Sequence, residues 1–268
     1  MTDLLEREGP LRDAQQALQR SRGGQGATLL VSGEAGIGKS SLIQALAAGL
    51  KRHHRVFRGG CENLFSPRPL GPLRDIALVQ RGALLRALDE GAPADTVFAA
   101  FLELLNTPGV CSLVVFEDLH WADEATLDLI RHLARRIVRL PVLLLLSYRD
   151  DEVGPEHPLQ AVLADLPPAS VTRVPLQPLS PAAVADMATR ADRPAAGLHA
   201  ATGGNPFYVT EVLASGVTDA DRGVPSSVRD AVHARLARLN AEQRGVLDAL
   251  CVSPGRVEPW LARSLLSA

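Results

Sequence analysis

The fold is decided by the stretch LLVSGEAGIGKSSLI, residues 29–43. An apolar run breaks into glycines, reaches one lysine and two serines, and turns apolar again. Within it, Gly33-Glu34-Ala35-Gly36-Ile37-Gly38-Lys39-Ser40 satisfies the phosphate-loop pattern G-x-x-x-x-G-K-[ST]. The glycines let the backbone curl with its N–H groups inward, and no side chain blocks a phosphate. The helix that follows adds its own N-terminal N–H groups and the positive end of its dipole. In this pattern Lys39 reaches the β- and γ-phosphates and Ser40 offers its hydroxyl to Mg²⁺. A glycine-rich turn holding a chance lysine is the plain alternative. Lysine is scarce, however: Lys39 and Lys51 are the only two among 28 basic residues. The expected ligand is therefore a nucleotide with Mg²⁺, with residues 33–40 and Ser41 around it.

The surrounding sequence supplies the context that the motif demands. ATLLVSG (27–33) reads as a buried strand, and Leu42, Ile43, Leu46 and Leu50 follow at helical spacing. HRVFRGG (54–60), CSLVVFED (111–118), PVLLLLSYRDDE (141–152) and the weaker SVTRVPLQPLS (170–180) are further strand candidates. Residues 73–88, 96–105 and the stretch 122–138 read as helices, the last with Asp123 as a cap. Continuous apolar strands separated by helices predict an α/β fold, a parallel sheet covered on both faces. After residue 180 only short helices follow. The expected organisation is an α/β nucleotide-binding domain over 1–180, a helical lid over 181–216, and a helical piece over 217–268. The chain stops at LARSLLSA with a helix still running, as a piece of a longer protein would.

Composition narrows the function. With 268 residues, 46% of them hydrophobic, the chain can bury a sizeable core. A net charge of −2 gives no basic field for nucleic acid or acidic membranes. The three cysteines are odd in number and far apart, so no disulfide framework is expected and a reducing compartment is. No metal-ligand spacing is visible, and the adjacent His53 and His54 read as a solvated loop or strand edge. The opening MTDLLEREG lacks a basic-then-apolar signal segment. The longest apolar run, 141–146, falls far short of the roughly 20 residues a membrane span needs. A cytoplasmic location without membrane contact is the expectation.

The second chemical feature is LVVFED, which places Glu117 and Asp118 behind four apolar residues. Ligands of open α/β sheets gather at the carboxyl ends of strands. One carboxylate there can bind Mg²⁺, and another can orient a water for attack on the γ-phosphate. Neighbouring residues at a strand end point to different sides, so the two have different tasks. Position favours Glu117 on the metal side and Asp118 on the water side, although the order Glu-Asp leaves that division open.

GEAGIGKSSL, LVVFEDLHWADEATLDLI, LLLLSYRDDE and ATGGNPFYVTEVL occur in that order. Together they resemble the AAA-like ATPase module of STAND-type signalling NTPases, especially large ATP-binding LuxR-type transcriptional regulators of actinobacteria. The resemblance runs from about residue 4 to at least residue 213. It implies that Arg149 is the sensor arginine for the γ-phosphate, a role its permanently charged fork suits. A surface arginine paired with Asp150 or Asp151 is the alternative. It also implies that Pro206 packs near adenine, although Gly-Asn-Pro reads equally well as a turn opening a helix. Arg7 and Glu8 are similar to the family's opening segment, but Glu6 stands where glycine is usual, which puts nucleotide contact there in doubt. The tail resembles the start of a winged-helix domain.

These features predict an ATP-binding, slowly hydrolysing conformational switch of a signalling or transcription-regulatory protein, with nucleotide-dependent self-association. A turnover motor would need a ring and an arginine supplied in trans. A DNA-binding module is disfavoured because residues 225–268 carry six arginines against four acids. DNA contact would belong to a further C-terminal domain. A small-molecule kinase shares the phosphate loop, but no acceptor-binding lid is recognisable.

Overall fold

The computed structural model describes residues 4–50, 54–64, 68–215, 226–237 and 239–251. Five parallel strands form one sheet in the order β2-β3-β4-β1-β5. They are β1 (Ala27–Ser32), β2 (His54–Gly60), β3 (Cys111–Glu117), β4 (Val142–Tyr148) and β5 (Val171–Pro175). The interior position of β1 explains its mainly apolar, buried sequence: it pairs with β4 on one side and β5 on the other. β3 is buried along its whole length, whereas the edge strands β2 and β5 are partly exposed and read as weaker runs.

Alternate strand residues feed two separate cores, as the period of two requires. Leu30, Val114, Phe116, Leu144 and Leu146 face one core. That core is closed by α3 (Gly71–Gln80), α4 (Gly82–Asp89), α5 (Ala94–Leu105), α6 (Glu124–Arg136) and α7 (Pro158–Asp165). Leu29, Val31, Val115, Leu143 and Leu145 face the other, closed by α1 (Glu8–Arg22) and α2 (Lys39–Ala48). The amphipathic start of the chain thus packs on the sheet through Ala14, Ala17 and Leu18. A third, smaller core joins Leu179 to α8 (Pro181–Arg190), α9 (Leu198–Thr202) and α10 (Pro206–Ser215).

Asp123 caps α6, accepting from the Thr126 N–H at 3.0 Å. The predicted helix over 73–88 is instead two. Arg81 (φ 58°) and Gly82 (φ 74°) take the left-handed region in succession and turn the chain. The apolar spacing continues on both sides of the break, so periodicity does not reveal it. All three cysteines are free thiols. No helix among the described residues is long and apolar enough to cross a membrane. Of the winged-helix start expected over 217–268, residues 217–225, 238 and 252–268 lie outside the described residues. Two helices are described there, α11 (Ser226–Leu236) and α12 (Ala241–Leu250).

Candidate functional site

The strand order puts the carboxyl ends of β3, β4 and β1 side by side, where chain connections leave in opposite directions. Open α/β sheets hold their ligands at such a switch point. From β1 the backbone enters the loop 33–38, and Gly38 (φ 102°) hands it to α2 in a left-handed conformation closed to most residues. Lys39 is the first residue of α2, and its Nζ donates to the carbonyls of Gly33 at 2.6 Å and Glu34 at 3.0 Å. The side chain spans its own loop and is buried. Burial lowers its pKa first and Arg149 lowers it further, while Asp118, Asp150 and Asp151 oppose them.

One residue on, the Ser40 hydroxyl donates to Glu117 Oε2 at 3.0 Å. The other oxygen of Glu117 accepts from Arg58 Nε on β2. Asp118 leaves the strand with φ 56°, so its carboxylate heads elsewhere, into a cavity of about 400 Å³ that Lys39, Ser40 and Arg149 also line. Burial raises the Asp118 carboxyl from its ordinary value, against the pull of Arg149 and Lys39.

Arg149 follows β4 directly. Its guanidinium lies 4.9 Å from the centre of the Trp121 ring and pairs with Glu152 Oε1 at 2.6 Å. The alternative read from the sequence paired Arg149 with Asp150 or Asp151; the ion pair formed here is with Glu152. Residues 150–152 form a single 3-10 turn, which returns Glu152 to Arg149 three positions away. Beneath this pair lies the buried His120 ring. Its Nδ1 accepts from the Arg149 N–H at 3.4 Å, and its Nε2 lies 3.9 Å from Glu152 and 4.0 Å from Asp118.

Two distant segments close on the loop. Asn205, only 2% exposed, donates through Nδ2 to Glu34 Oε1 and to the Ala35 carbonyl, both at 2.9 Å. The Phe207 N–H points at the Gly36 carbonyl at 3.2 Å. A Cβ on Gly36 would come within 2.7 Å of Phe207 Cβ, so this glycine is required by the neighbouring helix as well as by the loop. From the other side Arg7, 5% exposed, donates to the carbonyls of Ile37 at 3.0 Å and Gln177 at 2.8 Å. Pro206 opens α10, and a second cavity of about 530 Å³ runs from it past Leu5, Ile37, Met187 and Leu213. Gly38, Ser41 and Pro206 line both cavities.

Residues 3–146, more than half of the chain, match the AAA ATPase domain family. The chain belongs to that family. An uncharacterised protein of Rhizobium meliloti (strain 1021) is 27% identical over 212 residues, which cover 61% of this chain. The matched stretch is about a fifth, 20%, of that relative's length. Among solved structures, a Walker-type ATPase of Pyrococcus abyssi superposes with a TM-score of 0.65 at 16% identity, covering 99% of this chain and 89% of its own. The Aeropyrum pernix ORC1 protein, solved in complex with DNA, gives 0.59 at 14%, covering 100% and 83%. At such identities the likeness establishes the P-loop ATPase fold.

In this AAA ATPase domain the donor set suits Mg²⁺. A hydroxyl and a carboxylate converge at Ser40 and Glu117, and no cluster of three acidic, histidine or cysteine ligands occurs among the described residues. Mg²⁺ is held in this way, by one or two protein oxygens together with substrate phosphates. Sequence reasoning missed Asn205, Glu152 and His120 and set Arg7 aside. The signal for Asn205 was the GGNPF turn, read through its proline alone.

Proposed function

We propose that this AAA ATPase domain is an ATP-dependent conformational switch of the STAND type, as in large LuxR-type transcriptional regulators. The observation that carries the reading is the pair of cavities joined at Gly38, Ser41 and Pro206. One is lined by Lys39, Arg149 and loop backbone, the other mainly by aliphatic side chains. A ligand with an anionic end and a flat apolar end spans both, which describes a purine nucleoside triphosphate.

In this reading the loop backbone and Lys39 hold the β- and γ-phosphates, exchanging the carbonyls of Gly33 and Glu34 for phosphate oxygens. Ser40 and Glu117 hold Mg²⁺, which neutralises charge on the phosphates when bound. Asp118, separated from that pair by its left-handed backbone, orients the attacking water. Arg149 reads the γ-phosphate by leaving Glu152 while Trp121 keeps its guanidinium in place. Pro206 packs against the base. Residues 181–216 act as a lid on the nucleotide-binding unit 1–180, and the helical piece 217–268 follows the lid. Hydrolysis is slow, as suits a state that must persist, and the nucleotide state governs self-association. DNA contact by residues 225–268 is not part of this reading, because their charge is nearly balanced.

The test is titration with ATP and Mg²⁺, wild type against Lys39→Ala. We expect the variant to lose affinity by at least about a hundredfold, since a charge-assisted contact to phosphate contributes several kcal/mol. Equal binding by the two proteins would reject the assignment of the site.

A further inference from the structure

Three carbonyls of the phosphate loop are held from outside the loop: Ala35 by Asn205, Gly36 by the Phe207 N–H, and Ile37 by Arg7. A peptide unit is planar and trans, so its C=O and N–H point in opposite directions. Fixing the Ala35 carbonyl towards Asn205 therefore turns the Gly36 N–H to the opposite side. Gly36 lines the cavity that holds Lys39 and Arg149.

We propose that Asn205 is a positioning residue for phosphate binding: its amide, carried by the lid, sets the Ala35–Gly36 peptide so that the Gly36 N–H faces the phosphates. Three features single it out. It is 2% exposed. It reaches the loop across 170 residues of sequence. Three of its four hydrogen-bonding positions are used: two amide hydrogens go to Glu34 Oε1 and the Ala35 carbonyl, and Oδ1 accepts from the Phe207 N–H at 3.1 Å. An aspartate of the same shape would set a carboxylate oxygen against two acceptors. Asn205 touches the loop and not the ligand, so its effect is confined to the part of the nucleotide that the loop holds. Lid docking and loop geometry thereby become one event. The inference rests on the reading of the site as an ATP site.

The experiment compares ATP with Mg²⁺ by calorimetric titration and adenosine by ligand-observed NMR, for wild type and Asn205→Asp. Wild type must bind ATP; if it does not, the functional reading fails before Asn205 is tested. Given that, Asn205→Asp is expected to bind ATP at least about tenfold more weakly, the scale of a lost hydrogen bond plus repulsion. Adenosine binding should stay within about twofold, since the base lies in the other cavity. Undiminished ATP affinity overturns the proposal. So does a parallel loss of ATP and adenosine, which marks a general collapse of the lid. If Asn205→Asp does not fold, Asn205→Ala is judged by the same selective loss of ATP.

Discussion

Glu6 holds a backbone conformation, φ 56°, in which a side chain other than glycine costs roughly 1–2 kcal/mol. The resemblance placed a glycine at this position, and the geometry explains why one fits. Here the cost is offset by contacts to Ser180, the residue that caps α8. The Glu6 carboxylate accepts from the Ser180 N–H at 2.8 Å and from its hydroxyl. Those two hydrogen bonds, the hydroxyl's first, hold the Glu6 carboxyl below its ordinary 4.5. A carboxylate whose folded pKa is depressed stabilises the fold above its unfolded value and loses that contribution as pH falls through the folded one. Wild type should therefore exceed Glu6→Gln in urea midpoint at neutral pH. The difference should shrink as pH drops below 4.5. A difference constant down to about pH 3 would remove the carboxylate from the account.

At the scale of elements, the sheet and α3 meet backbone to backbone. A Cβ on Gly59 of β2 would lie 2.1 Å from the Pro72 carbonyl oxygen. No rotamer change relieves such a clash, because the obstacle is main chain. Gly59→Ala should cost about 3 kcal/mol, the upper end for overpacking, and chemical denaturation measures it. A loss below about 0.5 kcal/mol would show that α3 slides freely on β2. The three interior strands β1, β3 and β4 were legible in the sequence as apolar runs of strand length, whereas the edge strands β2 and β5 gave weaker patterns. The phosphate loop was legible because its chemistry is contiguous. The break at Arg81 was not, since both half-helices keep the same apolar face. The Arg149–Glu152 pair was hidden by two nearer acids, and only the 3-10 turn decides among the three. Asn205 and Glu34 lie 171 residues apart, and no local pattern announces that they meet.

For the whole molecule, the switch reading requires that ATP and ADP leave the lid in different states. A coupling of 1–3 kcal/mol corresponds to about 5–150-fold between states. Arg190, exposed at the end of α8 and followed by Ala191, is a trypsin site that reports on this helical segment. Cleavage there should slow at least about fivefold in saturating ATP and Mg²⁺ relative to ADP. Identical rates in both nucleotides would leave a binding domain without a switch. The fasteners of the phosphate loop also have a consequence for synthesis. The loop is complete as sequence by residue 40, yet the donors to its carbonyls come from residues 7, 205 and 207. A chain emerging N-terminus first therefore carries an unfinished loop until some 165 further residues have been added, at about 5–20 residues per second. For that interval of tens of seconds at the slower rate, the growing polypeptide presents its glycine loop without the clamp that shapes it. On the reading proposed above, full nucleotide affinity then waits until residues 205–207 have emerged and docked on the loop.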